Sequence, residues 1–117
     1  MRILISYEES HRVYGDALER TLRGLRPGAE VAGCGLGSLG RRVKSFDPDL
    51  VVSSRPNTVD PGGRAAWYKL SHEPDEPSEA CLGGQRWRKL NPSFGDLLSF
   101  IDEVETRVGS GSQPGGC

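Results

Sequence analysis

The sequence predicts a single α/β domain of three layers, built on a parallel central sheet. Short apolar runs alternate with one-sided helical patterns over residues 1–54, and a chain of 117 residues allows one domain. The order strand, helix, strand, helix, strand is typical of a parallel sheet with right-handed crossovers. We expect the domain to span residues 1–108 and a flexible Gly/Ser tail to occupy residues 109–117.

The first half contains three predicted strands and two predicted helices. Residues 2–6 are an apolar run typical of a buried strand, and the acidic residues that follow suit a helix N-terminus. The first helix ends at Pro27-Gly28 and has one apolar face, formed by Val13, Tyr14, Ala17, Leu18, Leu22 and Leu25. Residues 30–33 then form a short strand, residues 36–46 a helix of about three turns, and residues 50–52 a third strand of β-branched character.

The second half is predicted to have shortened crossovers. Residues 55–64 are too short and too rich in Pro and Gly for a full crossover helix, and residues 65–71 have the pattern of a fourth strand. A hairpin is predicted over residues 79–90, because Gly83-Gly84 supplies the positive φ that a two-residue turn needs. The sequence leaves open whether residues 65–90 instead form a further strand and crossover helix.

A last amphipathic helix follows the predicted hairpin. Ser93 is its predicted N-cap, with Asp96 as the acidic partner of a capping box. Its apolar face comprises Phe94, Leu97, Leu98, Ile101, Val104 and Val108. This helix completes three layers around a sheet of about five or six strands.

Composition and charge exclude several classes of function. The net charge is −1, from 15 Lys and Arg against 16 Asp and Glu, which argues against nucleic-acid binding through bulk positive charge. No apolar run approaches the roughly 18 residues of a membrane span, and the N-terminal run is too short for a signal peptide. Three widely spaced cysteines and two histidines predict no closed metal site and no disulfide framework, which fits a reducing cytoplasm. We predict no cofactor, and we expect Cys117 to cross-link copies only as an artefact of oxidation.

Three stretches carry a resemblance to a known family: Arg-Ile-Leu-Ile-Ser-Tyr-Glu-Glu at 2–9, Phe-Asp-Pro-Asp-Leu-Val-Val-Ser-Ser at 46–54 and Arg-Lys-Leu-Asn-Pro-Ser at 88–93. In this order and spacing they resemble the receiver domain of bacterial two-component response regulators, which has a flavodoxin-like fold. The resemblance is good over residues 1–54, fair over residues 85–108, and fails over residues 55–84.

Several working groups of that family are replaced in this chain. Tyr7 stands in place of one residue of the acidic pair, and Glu8 or Glu9 keeps the other. Ser54 occupies the position of the phosphoacceptor Asp, and a serine hydroxyl cannot form an acyl phosphate and is a poor ligand for Mg²⁺ beside a carboxylate. Phosphorylation on Asp is therefore not expected.

The remaining positions of the family pattern agree only in part. Ser71 matches the family's hydroxyl at the end of the fourth strand, but Asn91 precedes the proline where the family has a lysine, unless Lys89 reaches back. The resemblance implies a degenerate receiver-like domain. We expect a non-catalytic binding or regulatory module that acts through a protein partner or as a homodimer.

Polar residues also collect at the predicted carboxyl ends of the strands, where open parallel sheets bind ligands. They are Tyr7, Glu8, Glu9, Ser53, Ser54, Arg55, Ser71, His72 and Asn91. An acid, hydroxyl groups, a guanidinium and an imidazole in one crevice would suit a small polar or anionic ligand. The alternative is that these side chains cap helices and tie loops together.

A glycine pattern offers a second interpretation. Gly35, Gly37 and Gly40 form G-x-G-x-x-G after a strand and before a helix, the context of a dinucleotide site. An Arg at position 55 could meet a 2′-phosphate. The motif follows the second strand rather than the first, however, and no acid for the ribose is present. A small anionic ligand or nucleotide in the strand-end crevice is the alternative function.

Two further constellations are weaker. Ser54, His72 and Glu8 could be read as a hydrolytic triad, but no G-x-S-x-G elbow is present, and we predict no enzyme and no catalytic residue. The run Arg86-Trp87-Arg88-Lys89 interleaves cations with an aromatic ring, as nucleic-acid-binding strands do. The acidic residues over 73–79 are expected to neutralise it, and its half of the sheet is a candidate patch for a protein partner.

Overall fold

The computed structural model describes residues 1–54 and 64–116, which form an α/β domain. In these ranges a six-stranded mixed sheet has the order β2-β1-β3-β4-β5-β6. The elements are β1 (Arg2–Tyr7), α1 (Arg12–Leu25), β2 (Glu30–Gly35), α2 (Leu39–Phe46), β3 (Leu50–Ser54), β4 (Ala66–Leu70), β5 (Ser78–Leu82), β6 (Gln85–Lys89) and α3 (Phe94–Gly109). Short 3₁₀ turns at Glu9–His11 and Leu36–Ser38 precede α1 and α2. The helix α2 therefore begins three residues later than predicted, whereas α1 begins just before its first predicted apolar position, Val13.

The sheet is parallel in its first four strands and antiparallel in its last two. β1 pairs with β2 and β3 in parallel, and β3 pairs with β4 in parallel. β4 pairs with β5, and β5 with β6, in antiparallel fashion. The expectation of a parallel sheet is therefore correct for the first half and wrong at β5, because the short connection after β4 leaves no room for a crossover.

The predicted hairpin is present over residues 78–89, one residue from the predicted bounds at each end, and its turn has the predicted chemistry. Gly83 and Gly84 have φ values of 60° and 81°, the left-handed region that a two-residue turn matching the sheet twist requires. The register pairs Leu82 with Gln85 across this turn. The alternative of a further strand and crossover helix over residues 65–90 is therefore wrong.

The helices cover both faces of the sheet, which gives three layers. On one face, Ile3 of β1 belongs to a buried cluster with Leu22 of α1 and Ile101 of α3. On the opposite face, Leu4 of β1 belongs to a second cluster with Leu39 of α2. Adjacent residues of one strand thus serve two cores, as the alternation of side chains along a strand requires.

The apolar face predicted for α1 is wrong at its edges. Val13 is 85% exposed and Leu25 is 46% exposed, whereas Leu22 is fully buried. Gly15 is also buried, because the side chain of Tyr7 packs against it. The buried stripe of the helix is therefore narrower than its apolar pattern, and one apolar flank faces solvent.

The last helix begins as predicted. The Ser93 hydroxyl accepts the backbone N–H of Asp96 at 3.1 Å, and the Asp96 carboxylate accepts the backbone N–H of Ser93 at 2.8 Å. This reciprocal pair is a capping box. Lys89, the last residue of β6, also donates to the Asp96 carboxylate at 2.8 Å, which ties the helix start to the sheet edge.

The segment after α3 contacts the turn of the hairpin. The backbone N–H groups of Gly83 and Gly84 donate to the carbonyls of Pro114 and Gly115 at 2.8 and 2.9 Å. The N–H of Gly115 donates to the carbonyl of Arg64 at 2.9 Å. These bonds place part of the predicted tail against the domain, and its flexibility stays a prediction.

The cysteines differ from one another. Cys34 is a free thiol, and burial raises its pKa. Cys81 is disulfide-bonded, contrary to the expectation that the thiols stay reduced. The expectation for Cys117 falls outside the described residues. Within residues 1–54 and 64–116, none of the helices has the length and apolar character to cross a membrane.

Candidate functional site

The carboxyl ends of β1, β3 and β4 lie at one edge of the sheet because these strands are parallel. The residue after β1 is Glu8, and its backbone N–H donates to the hydroxyl of Ser54 at 3.0 Å. Ser54 is fully buried. Its hydroxyl therefore joins the ends of two neighbouring strands, which is the loop-tying role considered as the alternative to ligand binding.

Four aromatic rings contact one another beside the Glu8–Ser54 hydrogen bond. We call them the strand-end cluster: Tyr7, His11, Tyr14 and His72. His11 and His72 are stacked, with ring centroids 3.8 Å apart and planes 7° from parallel. Tyr14 meets His72 edge-on at 5.3 Å, and Tyr7 lies 5.4 Å from Tyr14 and 5.6 Å from His72. The sequence predicted Tyr7 and His72 at this edge and placed Tyr14 on the apolar face of the first helix, whereas it assigned His11 no role here.

Two polar groups of the strand-end cluster are buried without a partner among the described residues. They are the Tyr7 hydroxyl and the Nε2 atom of His72. Burial raises the pKa of Tyr7 far above its ordinary value. Burial and then the neighbouring His11 lower the pKa of His72, while Glu8 and Glu73 act in the opposite direction. Both side chains are therefore held in their neutral forms at neutral pH.

The other predicted crevice residues have local partners. Glu9 lies in the 3₁₀ turn, 3.5 Å from the Arg12 guanidinium. The Ser71 hydroxyl accepts the backbone N–H of Glu73 at 3.2 Å, which closes a tight turn. Arg55 lies outside the described residues. The structure thus brings Glu8, Ser54 and His72 to one edge, whereas Ser71 serves the loop after β4.

The glycines of the G-x-G-x-x-G pattern lie at the end of β2, in the 3₁₀ turn and in α2. A Cβ atom added at Gly35, Gly37 or Gly40 would meet nothing within 4 Å. None of the three has a positive φ. The steric need that makes glycine essential in a dinucleotide turn is therefore not present at these positions.

A cleft of about 330 Å³ opens between α1 and β2 near Gly35. Its charged lining consists of Glu9, Asp16, Glu19 and Arg12. Three carboxylates against one guanidinium disfavour an anionic ligand here.

Sequence reasoning missed an apolar surface on α1 and the start of α3. Among the described residues six large hydrophobic side chains are exposed, and four of them lie on these two helices: Val13, Tyr14, Leu25 and Phe94. A shallow groove of about 300 Å³ runs between the helices, lined by Tyr14, Ala17, Leu18, Thr21 and Phe94. The sequence did contain a signal for this surface. The apolar positions of α1 extend around more of the helix than one packing face can cover.

The two tryptophans have different environments. Trp67 is buried on the face of the sheet that carries α2, and the Lys69 ammonium and Arg86 guanidinium lie 4.6 and 5.5 Å from its ring centroid. Trp87 is 39% exposed and meets Phe100 of α3 at 5.4 Å. Trp67 thus belongs to the buried cluster on the α2 face, with two cations over its ring.

No group of three or more His, Cys, Asp and Glu side chains within residues 1–54 and 64–116 is arranged to hold a metal ion. No protein-family model, curated protein or solved structure matches this chain. Its function has to follow from its own residues and geometry.

Proposed function

We propose that this domain is a non-catalytic, receiver-like binding module that acts by self-association through the outer sides of α1 and α3. The observation that carries the proposal is the apolar surface formed by Val13, Tyr14, Leu25 and Phe94. Val13 is 85% exposed, and Tyr14 and Phe94 line one apolar groove between the two helices. An apolar patch on a small domain marks an interaction site.

The environment of Ser54 supports a non-catalytic role. Its hydroxyl already accepts the N–H of Glu8, and a hydroxyl in this position offers no carboxylate for acyl-phosphate chemistry. Tyr7, at the position of one acid in the family pattern, is buried and neutral. A receiver-like domain without its phosphoryl chemistry still has surfaces through which it can bind, and among the described residues α1 and α3 carry four of the six exposed large hydrophobic side chains.

Charge complementarity favours a second copy of this chain as the partner. The α1 helix with its C-cap Arg26 carries more arginines than carboxylates, and α3 carries more carboxylates than arginines. Arg26 and Asp102 already join the two helices within one copy, at 2.9 and 3.0 Å. A two-fold axis through the groove would set the basic helix of each copy against the acidic helix of the other, as an isologous interface requires.

The test is multi-angle light scattering over a range of concentrations, with and without reductant to separate disulfide cross-links from association. We expect a concentration-dependent dimer in both conditions. Val13→Glu should weaken the dimer by about tenfold or more, because it places a carboxylate in an apolar interface. Ser45→Glu on α2 changes the charge equally on the opposite face and should leave the dimer intact. A strict monomer, or equal effects of the two variants, would refute self-association through this surface.

A second candidate function is binding of a small ligand, anionic or a nucleotide, at the strand-end crevice. The unpartnered Tyr7 hydroxyl and His72 Nε2 favour it, because buried polar groups normally have hydrogen-bond partners. Glu8 and Glu73 beside His72 weigh against an anion. A thermal-shift screen of nucleotides and anionic metabolites is the test, since a ligand of the native state raises the melting temperature. A flat response would leave self-association as the function.

A further inference from the structure

Among the strands that the structure describes, β6 lies at an edge of the sheet. It is last in the strand order, with β5 on its inner side. All five of its residues are exposed. An edge strand presents a row of backbone N–H and C=O groups that can pair with another extended chain. Within the described residues, no strand pairs with the outer side of β6.

Contacts at both ends and on both faces hold β6 in its extended conformation. At its start, the hairpin turn is held by the hydrogen bonds of Gly83 and Gly84 to the segment after α3. On one face Trp87 packs on Phe100, and on the other the Arg88 guanidinium pairs with Glu79 at 3.0 Å. An edge that is already ordered loses little conformational entropy when a further strand binds.

The side chains of β6 give this edge a defined chemistry. Arg86 and Arg88 project to the face of the sheet that carries Trp67, since they pair across the sheet with Cys81 and Glu79. Glu79 of β5 pairs across the sheet with Lys69 of β4 on one side and with Arg88 of β6 on the other. This cross-strand row therefore contains one carboxylate between two cations. The row is net positive, although the chain as a whole carries a charge of −1.

We propose that β6 accepts an extended acidic segment of a partner protein as a seventh strand of the sheet. Carboxylates at alternate positions of that segment would lie beside Arg86 and Arg88, and a small apolar residue between them would lie beside Trp87. Opposite charges paired across strands stabilise a sheet, and like charges destabilise it. Pairing with a second copy is disfavoured in the symmetric antiparallel register centred on Trp87, because it would set Arg86 of each copy beside Arg88 of the other.

This site is separate from the α1–α3 surface and does not depend on self-association. The probe is a fluorescent, end-blocked peptide of sequence Thr-Glu-Val-Glu-Thr, with binding followed by anisotropy at low and moderate salt. A control peptide of the same composition has adjacent glutamates, Thr-Glu-Glu-Val-Thr. It tests whether binding requires the carboxylates to lie at alternate positions. The first peptide with its three central amides N-methylated keeps the charges but removes the backbone donors that strand pairing needs.

We expect the alternating peptide to bind at least about tenfold more tightly than either control peptide. Arg86→Gln with Arg88→Gln should weaken binding by a similar factor, and Arg41→Gln on α2 should not. Val13→Glu should bind the peptide as the parent protein does. If the N-methylated peptide bound as tightly as the unmodified alternating peptide, binding would depend on surface charge alone. That result would overturn strand addition. Binding of none of the peptides would mean that the arginines only protect the edge from aggregation.

Discussion

Gly15 of α1 lies directly against the side chain of Tyr7 at the end of β1. A Cβ atom at Gly15 would be 3.0 Å from Cδ2 of the tyrosine and 3.2 Å from its Cβ and Cγ. Tyr7 has little freedom to move away, because its ring also contacts Tyr14 and His72. This approach of helix to strand sets the position of α1 and leaves Val13 facing solvent.

We predict that Gly15→Ala destabilises the domain, by about 1–2 kcal/mol after the gain in helix propensity, because the methyl group overpacks against Tyr7. Gly24 is the matched control, since a Cβ there would meet nothing within 4 Å. Gly24→Ala should stabilise the domain by up to about 1 kcal/mol. Urea denaturation of both variants measures the difference. A stabilising Gly15→Ala would show that Tyr7 can shift without cost.

The strand-end cluster predicts a dependence of stability on pH. The pKa of His72 is lowered in the folded protein from its ordinary value of 6.5, so the unfolded chain binds more protons in the window between the two values. Stability therefore rises with pH through that window and is lost as the pH falls below 6.5. The groups that face His72 are Tyr7, Tyr14, His11, Glu8 and Glu73.

NMR titration of the His72 ring should give a pKa below 6.5. His72→Gln should flatten the change in melting temperature between neutral and mildly acidic pH. A titration midpoint above that ordinary value would mean that the carboxylates of Glu8 and Glu73 outweigh burial and the neighbouring His11.

The hydrogen bond from Glu8 to Ser54 predicts the effects of two substitutions. Ser54→Ala leaves the N–H of Glu8 without its acceptor and should cost about 1–3 kcal/mol in unfolding experiments. Under the receiver-like proposal, Ser54→Asp should not gain phosphorylation from acetyl phosphate and Mg²⁺, because the proposal puts Tyr7 and Asn91 at the positions of an acid and a lysine. Intact-mass spectrometry is the measurement. A phosphoryl adduct on either the parent or Ser54→Asp would contradict the degenerate-receiver proposal.

The capping box at the start of α3 predicts a local effect on stability. Ser93→Ala removes the acceptor for the N–H of Asp96 and should cost about 1 kcal/mol. Ser99→Ala, at an exposed position within the same helix, should be neutral or slightly stabilising. Thermal unfolding of the two variants at neutral pH checks the difference. Equal melting temperatures would show that the Asp96 carboxylate, held also by Lys89, caps the helix alone.

Periodicity and turn chemistry predicted most elements of this fold because their signals are local. The apolar run of β1, the Gly83-Gly84 turn and the Ser93 cap each depend on residues that are neighbours in the sequence. The direction of β5 was not predicted, since a strand pattern carries no information on its pairing. The α1 face was misjudged because Val13 was included for its apolar character, although nine residues of helix place it opposite the buried Leu22.

The sequence by itself determined an α/β domain whose parallel strands bring Tyr7, Ser54 and His72 to one edge of the sheet. Only the tertiary structure decided that His11 stacks on His72. It also made β6 the edge of the sheet. These features depend on the helix orientation and strand order, which arise from contacts between residues far apart in the chain. Local sequence patterns do not encode such contacts.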